Sequence, residues 1–207
     1  MSQPPPLRGF ILQPTYRIQS GKPVVNLFGR IDDGRSFLVR DSRQTPHFYV
    51  GDSDAQRARE RGAGRQASTT LTSLAGAPVV RVEVPVPGDT PPIRERLSRA
   101  GMSTFEADVR FAMRPLIDRG IRGSLEIRGE GVERPGVGIV FENPEITPGD
   151  WTPSPTVLSF DIETDPKAQR LLSIAFHGCG VSEVHLLTPG AGAVPKTPRP
   201  SPTRRSS

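Results

Sequence analysis

Apolar and polar positions alternate in short runs over the first fifty residues, and those runs are rich in β-branched and aromatic side chains. That is the pattern of strands with one face in a core. Residues 9–12, 23–30, 36–40 and 46–50 are predicted as strands. Asp32-Asp33-Gly34 falls between the second and third, and Asp-Gly readily takes the positive φ of a hairpin turn. A polar stretch over residues 54–61 holds good helix formers and predicts a short surface helix capped by Asp52 or Ser53. Residues 68–74 and 79–84 flank Ala75-Gly76-Ala77-Pro78, a plausible hairpin, with Val80, Val82 and Val84 opposite Arg81 and Glu83.

The period then changes. Thr90 as cap, Pro91 in the first turn and Gly101 as terminator predict a helix whose buried stripe is Ile93, Leu97 and Ala100. A second helix is predicted from the capping-box spacing of Ser103 and Glu106 to Gly120. Phe105, Val109, Ala112, Met113, Leu116 and Ile117 recur along it at three- and four-residue intervals, with a kink at Pro115. Glycines at 123, 129, 131, 136 and 138 read as turns before a strand at 138–141. Pro144, Pro148, Pro153 and Pro155 mark a linker. Three further apolar runs, 156–163, 171–176 and 184–187, predict an antiparallel meander.

Composition narrows the class. Hydrophobic residues are 34% of the 207, while Gly and Pro number 21 and 23, so the core is modest and turns are many. No apolar run reaches the roughly 18 residues of a membrane-spanning helix. The N-terminus lacks the basic-then-apolar pattern of a secretory signal. One cysteine, Cys179, excludes an internal disulfide. A soluble, cytoplasmic protein is the expectation. The net charge is +5, and of the 27 basic residues only Lys22, Lys167 and Lys196 are lysines. Arginine's planar fork suits phosphate, although a GC-rich coding bias gives the same excess. Positive charge of this size points to a nucleic-acid partner.

One segment carries chemistry. In Val157-Leu158-Ser159-Phe160-Asp161-Ile162-Glu163-Thr164, alternation puts Asp161 and Glu163 on one face and Phe160 and Ile162 on the other. Carboxylates about 7 Å apart at Cβ suit the oxygen shell of Mg²⁺ or Mn²⁺. Two such ions about 3.5–4 Å apart are the usual device for phosphodiester hydrolysis. An Asp-x-Glu strand on its own is more often a solvated face. His177, His185 and Cys179 have no partner at a ligand or activating spacing and are read as inert, and Tyr16, Phe48, Tyr49 and Trp151 as core or interface.

Residues 159–164, Ser-Phe-Asp-Ile-Glu-Thr, resemble the first exonuclease motif of family B DNA polymerases, and 169–175 the strand after it. Thr104-Phe105-Glu106-Ala107-Asp108-Val109-Arg110-Phe111, with Leu116-Ile117-Asp118-Arg119-Gly120-Ile121, is similar to the segment closing that family's N-terminal domain. Residues 9–12 through 46–50 look like its opening, and the bacterial branch resembling DNA polymerase II fits best. The resemblance implies an α+β fold: a β-rich N-terminal domain over 1–150, an incomplete RNase H-like 3′–5′ exonuclease over 151–188, and a disordered tail over 189–207. It implies Asp161 and Glu163 as catalytic metal ligands, Asp161 bridging two ions and Glu163 positioning the attacking water. Mg²⁺ or Mn²⁺ is expected only in the complete exonuclease site. DNA is the implied partner, as template and as a single-stranded 3′ end.

The departures bear on activity. The later exonuclease motifs and the paired aspartates of the polymerase palm have no counterpart, and after Glu163 the acids are Asp165 and Glu183. The chain is therefore expected to be inactive in this form. Residues 189–207 hold five prolines and four basic residues but no acid, the composition a GC-rich gene gives when read out of frame. A frameshifted or truncated polymerase gene is one expectation. A noncatalytic basic module that binds single-stranded nucleic acid is the alternative.

Overall fold

The computed structural model describes residues 5–187. It is β-rich with three short helices, and its strands form three sheets. The chain divides into two compact units, Met1–Pro153 and Ser154–Ser207. The expected α+β class is what the structure has. The disordered tail expected at 189–207 lies outside the described residues.

The first unit opens with β1 (Leu7–Gln19), β2 (Lys22–Ile31) and β3 (Ser36–Asp41), followed by β4 (His47–Gly51) and α1 (Ala55–Glu60). Next come β5 (Arg65–Thr72), β6 (Pro78–Glu83), α2 (Thr90–Arg99), β7 (Thr104–Phe105) and α3 (Arg114–Asp118). β8 (Ser124–Arg128), β9 (Gly131–Arg134), β10 (Gly138–Glu142) and β11 (Glu145–Pro148) complete it. Seven strands run in the order β11-β8-β1-β2-β3-β10-β9, with β10 parallel to β3 and the other pairs antiparallel. The second sheet is β5-β6-β4-β7.

Each sheet buries one face. On the seven-stranded sheet Leu27, Ile31, Phe37, Val39, Leu125 and Phe141 pack beneath Phe111, Leu116 and Ile121. On the four-stranded sheet Phe48, Val50 and Val82 pack with Ala58 of α1 and Ile93 and Leu97 of α2. The buried positions of β3 alternate strictly, as period two requires. Asp41 closes that strand as a buried carboxylate. It accepts from the backbone N–H and Nε of Arg43, at 3.0 and 2.9 Å, and from Gln44 at 2.8 Å, with Arg119 3.7 Å away. Burial pushes its pKa up, but the Arg43 and Gln44 hydrogen bonds outweigh burial and hold it below the ordinary carboxylate value. A depressed folded-state pKa stabilises above the unfolded value of about 4, and that stabilisation is lost as pH falls through the folded one. Asp41→Asn is expected to remove this acid-sensitive component, read as urea midpoints between neutral and acidic pH.

Several elements differ from the sequence reading. The α1 and α2 N-caps are Asp54 and Asp89, with no side-chain cap hydrogen bond, rather than Asp52 or Ser53 and Thr90. The helix expected over 103–120 does not form. Thr104 and Phe105 pair instead with the edge of β4, Glu106 takes φ +56°, and helix begins only at Arg114. Pro115 explains the start: without an N–H it is tolerated in a first turn and not in a helix interior. The glycine-rich stretch read as turns contains β8 and β9, and β11 lies in the expected linker.

The second unit is an antiparallel meander of β12 (Leu158–Thr164), β13 (Leu171–Gly178) and β14 (Val181–Leu186), as the apolar runs predicted. The side chains of β12 are exposed on both faces.

Candidate functional site

The register of the meander fixes what shares a face with the two carboxylates. Asp161 lies opposite Ala175, and Ala175 opposite Val184. Glu163 lies opposite Ser173, and Ser159 opposite His177 and then Ser182. Side chains at opposed positions point the same way, so Ser159, Asp161, Glu163, Ser173, Ala175, His177 and Ser182 share one face. Phe160, Ile162, Ile174 and Phe176 share the other. The sequence-predicted pair is thus on one side of the strand. Asp161 accepts from the backbone N–H of Ile162 at 3.0 Å, and neither carboxylate forms an ion pair with a described residue.

The neighbours opposite the carboxylates are small, Ala175 and Ser173. Two hard oxygen donors fit Mg²⁺ or Mn²⁺ in kind. They fill part of such a shell, and among the described residues no group of three His, Cys, Asp or Glu side chains converges on a metal position.

The turn after β12 sets this geometry. Asp165 accepts from the backbone N–H groups of Gln169 and Arg170, at 2.7 and 3.0 Å, and its own N–H donates to the Arg170 carbonyl at 3.0 Å. Asp165→Ala is expected to cost the meander about 1–2 kcal/mol, seen as faster amide exchange in β13.

A second feature of the first unit escaped the sequence reading. A cleft of about 480 Å³ is lined by Tyr16, His47, Arg94, Arg110, Phe111 and Arg114, among others. Tyr16 packs edge-on to Phe111, with ring centroids 5.5 Å apart. Arg114 is buried, ion-paired to Glu106, and stands 5.9 Å from the ring of Tyr49. Arg94 and Arg110 make no salt bridge to a described residue. His47 Nδ1 donates to the Thr45 carbonyl at 2.9 Å. Burial, helped by Arg81 and Arg114, lowers its pKa, so the ring is neutral at pH 7. These residues come from separate stretches of chain, and no local pattern brings them together.

The other singled-out residues behave as ordinary structure. Phe48 and Tyr49 are buried, Cys179 is exposed in the β13–β14 turn, and His185 Nε2 lies 3.1 Å from Glu183 on the apolar face. No helix of the described residues is long and apolar enough to cross a membrane.

A β-rich unit followed by a meander with paired carboxylates is the arrangement the resemblance to family B DNA polymerases implied, and the comparisons agree. No family model matches the chain. It is 30% identical over 122 residues to DNA polymerase 3 of Saccharolobus shibatae, a match covering 55% of this chain and 16% of that protein. It is similar in structure to the family B DNA polymerase from the hyperthermophilic archaeon Pyrobaculum calidifontis, with a TM-score of 0.64 and 26% identity. That match covers 88% of this chain and 27% of the polymerase. The likeness to the N-terminal region of family B DNA polymerases therefore holds in sequence and in fold, while the chain spans well under a third of either relative.

Proposed function

We propose that this chain supplies the N-terminal domain and the opening strands of the proofreading 3′–5′ exonuclease of a DNA-directed DNA polymerase, working on DNA in the cytoplasm at the nucleoid. On this reading residues 1–150 are the N-terminal domain, 151–188 the start of the exonuclease and 189–207 a tail. The change of compact unit between Pro153 and Ser154 supports the first boundary. The observation that carries the reading is the side-by-side, unpaired placement of Asp161 and Glu163 on one face of β12, in a chain similar over 88% of its length to a family B polymerase.

Asp161 and Glu163 are the residues that would hold Mg²⁺ or Mn²⁺. Such an ion stabilises charge on phosphodiester oxygens and lowers the pKa of a bound water. Two carboxylates are too few to organise the two-ion site, so the separate chain is expected to be inactive. With Mg²⁺ and a 3′-labelled single strand, degradation should stay at background. Degradation that Asp161→Ala abolishes would overturn the expected inactivity. Weak Mn²⁺ binding by calorimetry, lost in Asp161→Ala, is the positive result.

The cleft favours a second reading, a noncatalytic nucleic-acid-binding module. Arg94 and Arg110 are available for phosphate. Single-strand binding should then survive Asp161→Ala, and each of Arg94→Ala and Arg110→Ala should reduce the slope of log K against log salt by about 0.7.

A further inference from the structure

We infer that His177 is a substrate-positioning residue of the carboxylate face, donating from its ring to a phosphate of a single-stranded DNA 3′ end held beside Asp161. This rests on the exonuclease reading of Asp161 and Glu163 and adds a residue to it.

Three observations lead there. The first is register: Ser159, His177 and Ser182 form a cross-strand row next to the row of Asp161, Ala175 and Val184, on the same face. The second is a hollow of about 350 Å³ lined by those two rows together with Phe160, Phe176 and Glu183. The latter three point to the opposite face, so they contribute backbone, and the hollow opens on the carboxylate side with the small Ala175 in its wall. It is at the lower end of ligand-sized sites.

The third is charge. Two carboxylates repel a phosphodiester, so a face that receives one needs donors beside them. Among the strand residues of this face, His177 is the side chain able to offer a ring N–H, and the Ser159 and Ser182 hydroxyls flank it. Its ring makes no hydrogen bond to another described residue. His185 differs: it lies on the apolar face, beside Glu183 and edge-on to Phe176.

The test uses the full chain and a 5′-fluorescein-labelled ten-nucleotide oligothymidylate with a free 3′-hydroxyl, followed by anisotropy in Mn²⁺ and in EDTA. His177→Ala is expected to weaken the Mn²⁺-dependent binding about five- to tenfold, the loss of one hydrogen bond to a charged group, and to leave binding in EDTA unchanged. His177→Gln, which keeps an N–H donor, should recover affinity to within about twofold. If His177→Ala binds like wild type while Asp161→Ala loses the Mn²⁺-dependent part, the role of His177 is overturned and the carboxylate reading stands. Equal losses in His177→Ala and His177→Gln would mark a merely structural position and also overturn it. Absence of any Mn²⁺-dependent binding in the wild type would overturn both.

Discussion

Phe37→Ala is expected to lower the stability of the first unit by about 3–5 kcal/mol, the cost of emptying a large buried aromatic site. Phe37, on β3, is 1% exposed in the core of the seven-stranded sheet. Its ring occupies the space that side chains at two neighbouring positions would fill. A Cβ on Gly29 would lie 2.4 Å from the ring and 2.2 Å from the Phe10 carbonyl, and one on Gly9 would lie 2.8 Å from the ring. The two glycines and the phenylalanine are thus one packing unit, and truncation leaves a void lined by backbone that cannot collapse cheaply. A domain stable by about 5–15 kcal/mol loses a large share of that margin. The urea midpoint should fall at unchanged m-value, which separates lost stability from altered compactness. Phe28→Ala, one strand over and on the exposed side, should cost under about 1 kcal/mol. Similar losses in the two variants would contradict this account of the core.

What the sequence made legible follows the range of the forces involved. β2 and β3 could be read because runs of β-branched and aromatic residues and an Asp-Gly turn are local signals, and the core confirms them through Leu27, Phe37 and Val39. The Asp161–Glu163 pairing was equally local, a consequence of two residues of spacing on a strand. The segment from 103 to 120 misled because its apolar spacing is helical while its backbone is not. Phe111 and Leu116 are buried as a helix stripe would bury them, but Pro115 and the positive φ at Glu106 decide the conformation. β11 was hidden by its prolines. It lies at the sheet edge, paired only to β8, and a proline at the end of an edge strand is tolerated. The cleft had no local signature, because Tyr16, His47, Arg94 and Arg110 meet only when two sheets have formed.

Gly178→Val should abolish the carboxylate arrangement without touching either carboxylate. Gly178 ends β13 opposite Leu158, the residue that begins β12, and so sets the register that puts Asp161 opposite Ala175. Its φ is +116°, and a Cβ there would lie 2.3 Å from the Val157 carbonyl. A β-branched residue therefore meets a disfavoured backbone conformation, worth about 1–3 kcal/mol, and a clash with backbone. The meander has little reserve: Phe160 is 64% and Leu186 74% exposed, so burial contributes less here than in the first unit. A loss of about 3 kcal/mol is roughly a hundredfold in the folded population, enough to unpair β12 from β13. Amide exchange of residues 171–178 should accelerate by about that factor while β2 and β3 keep their protection, and Mn²⁺-dependent binding of the single strand should vanish with it. Retained protection in β13 together with retained binding would show that register at this end does not hold the site. A one-residue slip would move Asp161 and Glu163 to the face of Ile174 and Phe176, away from the row of Ser159, His177 and Ser182.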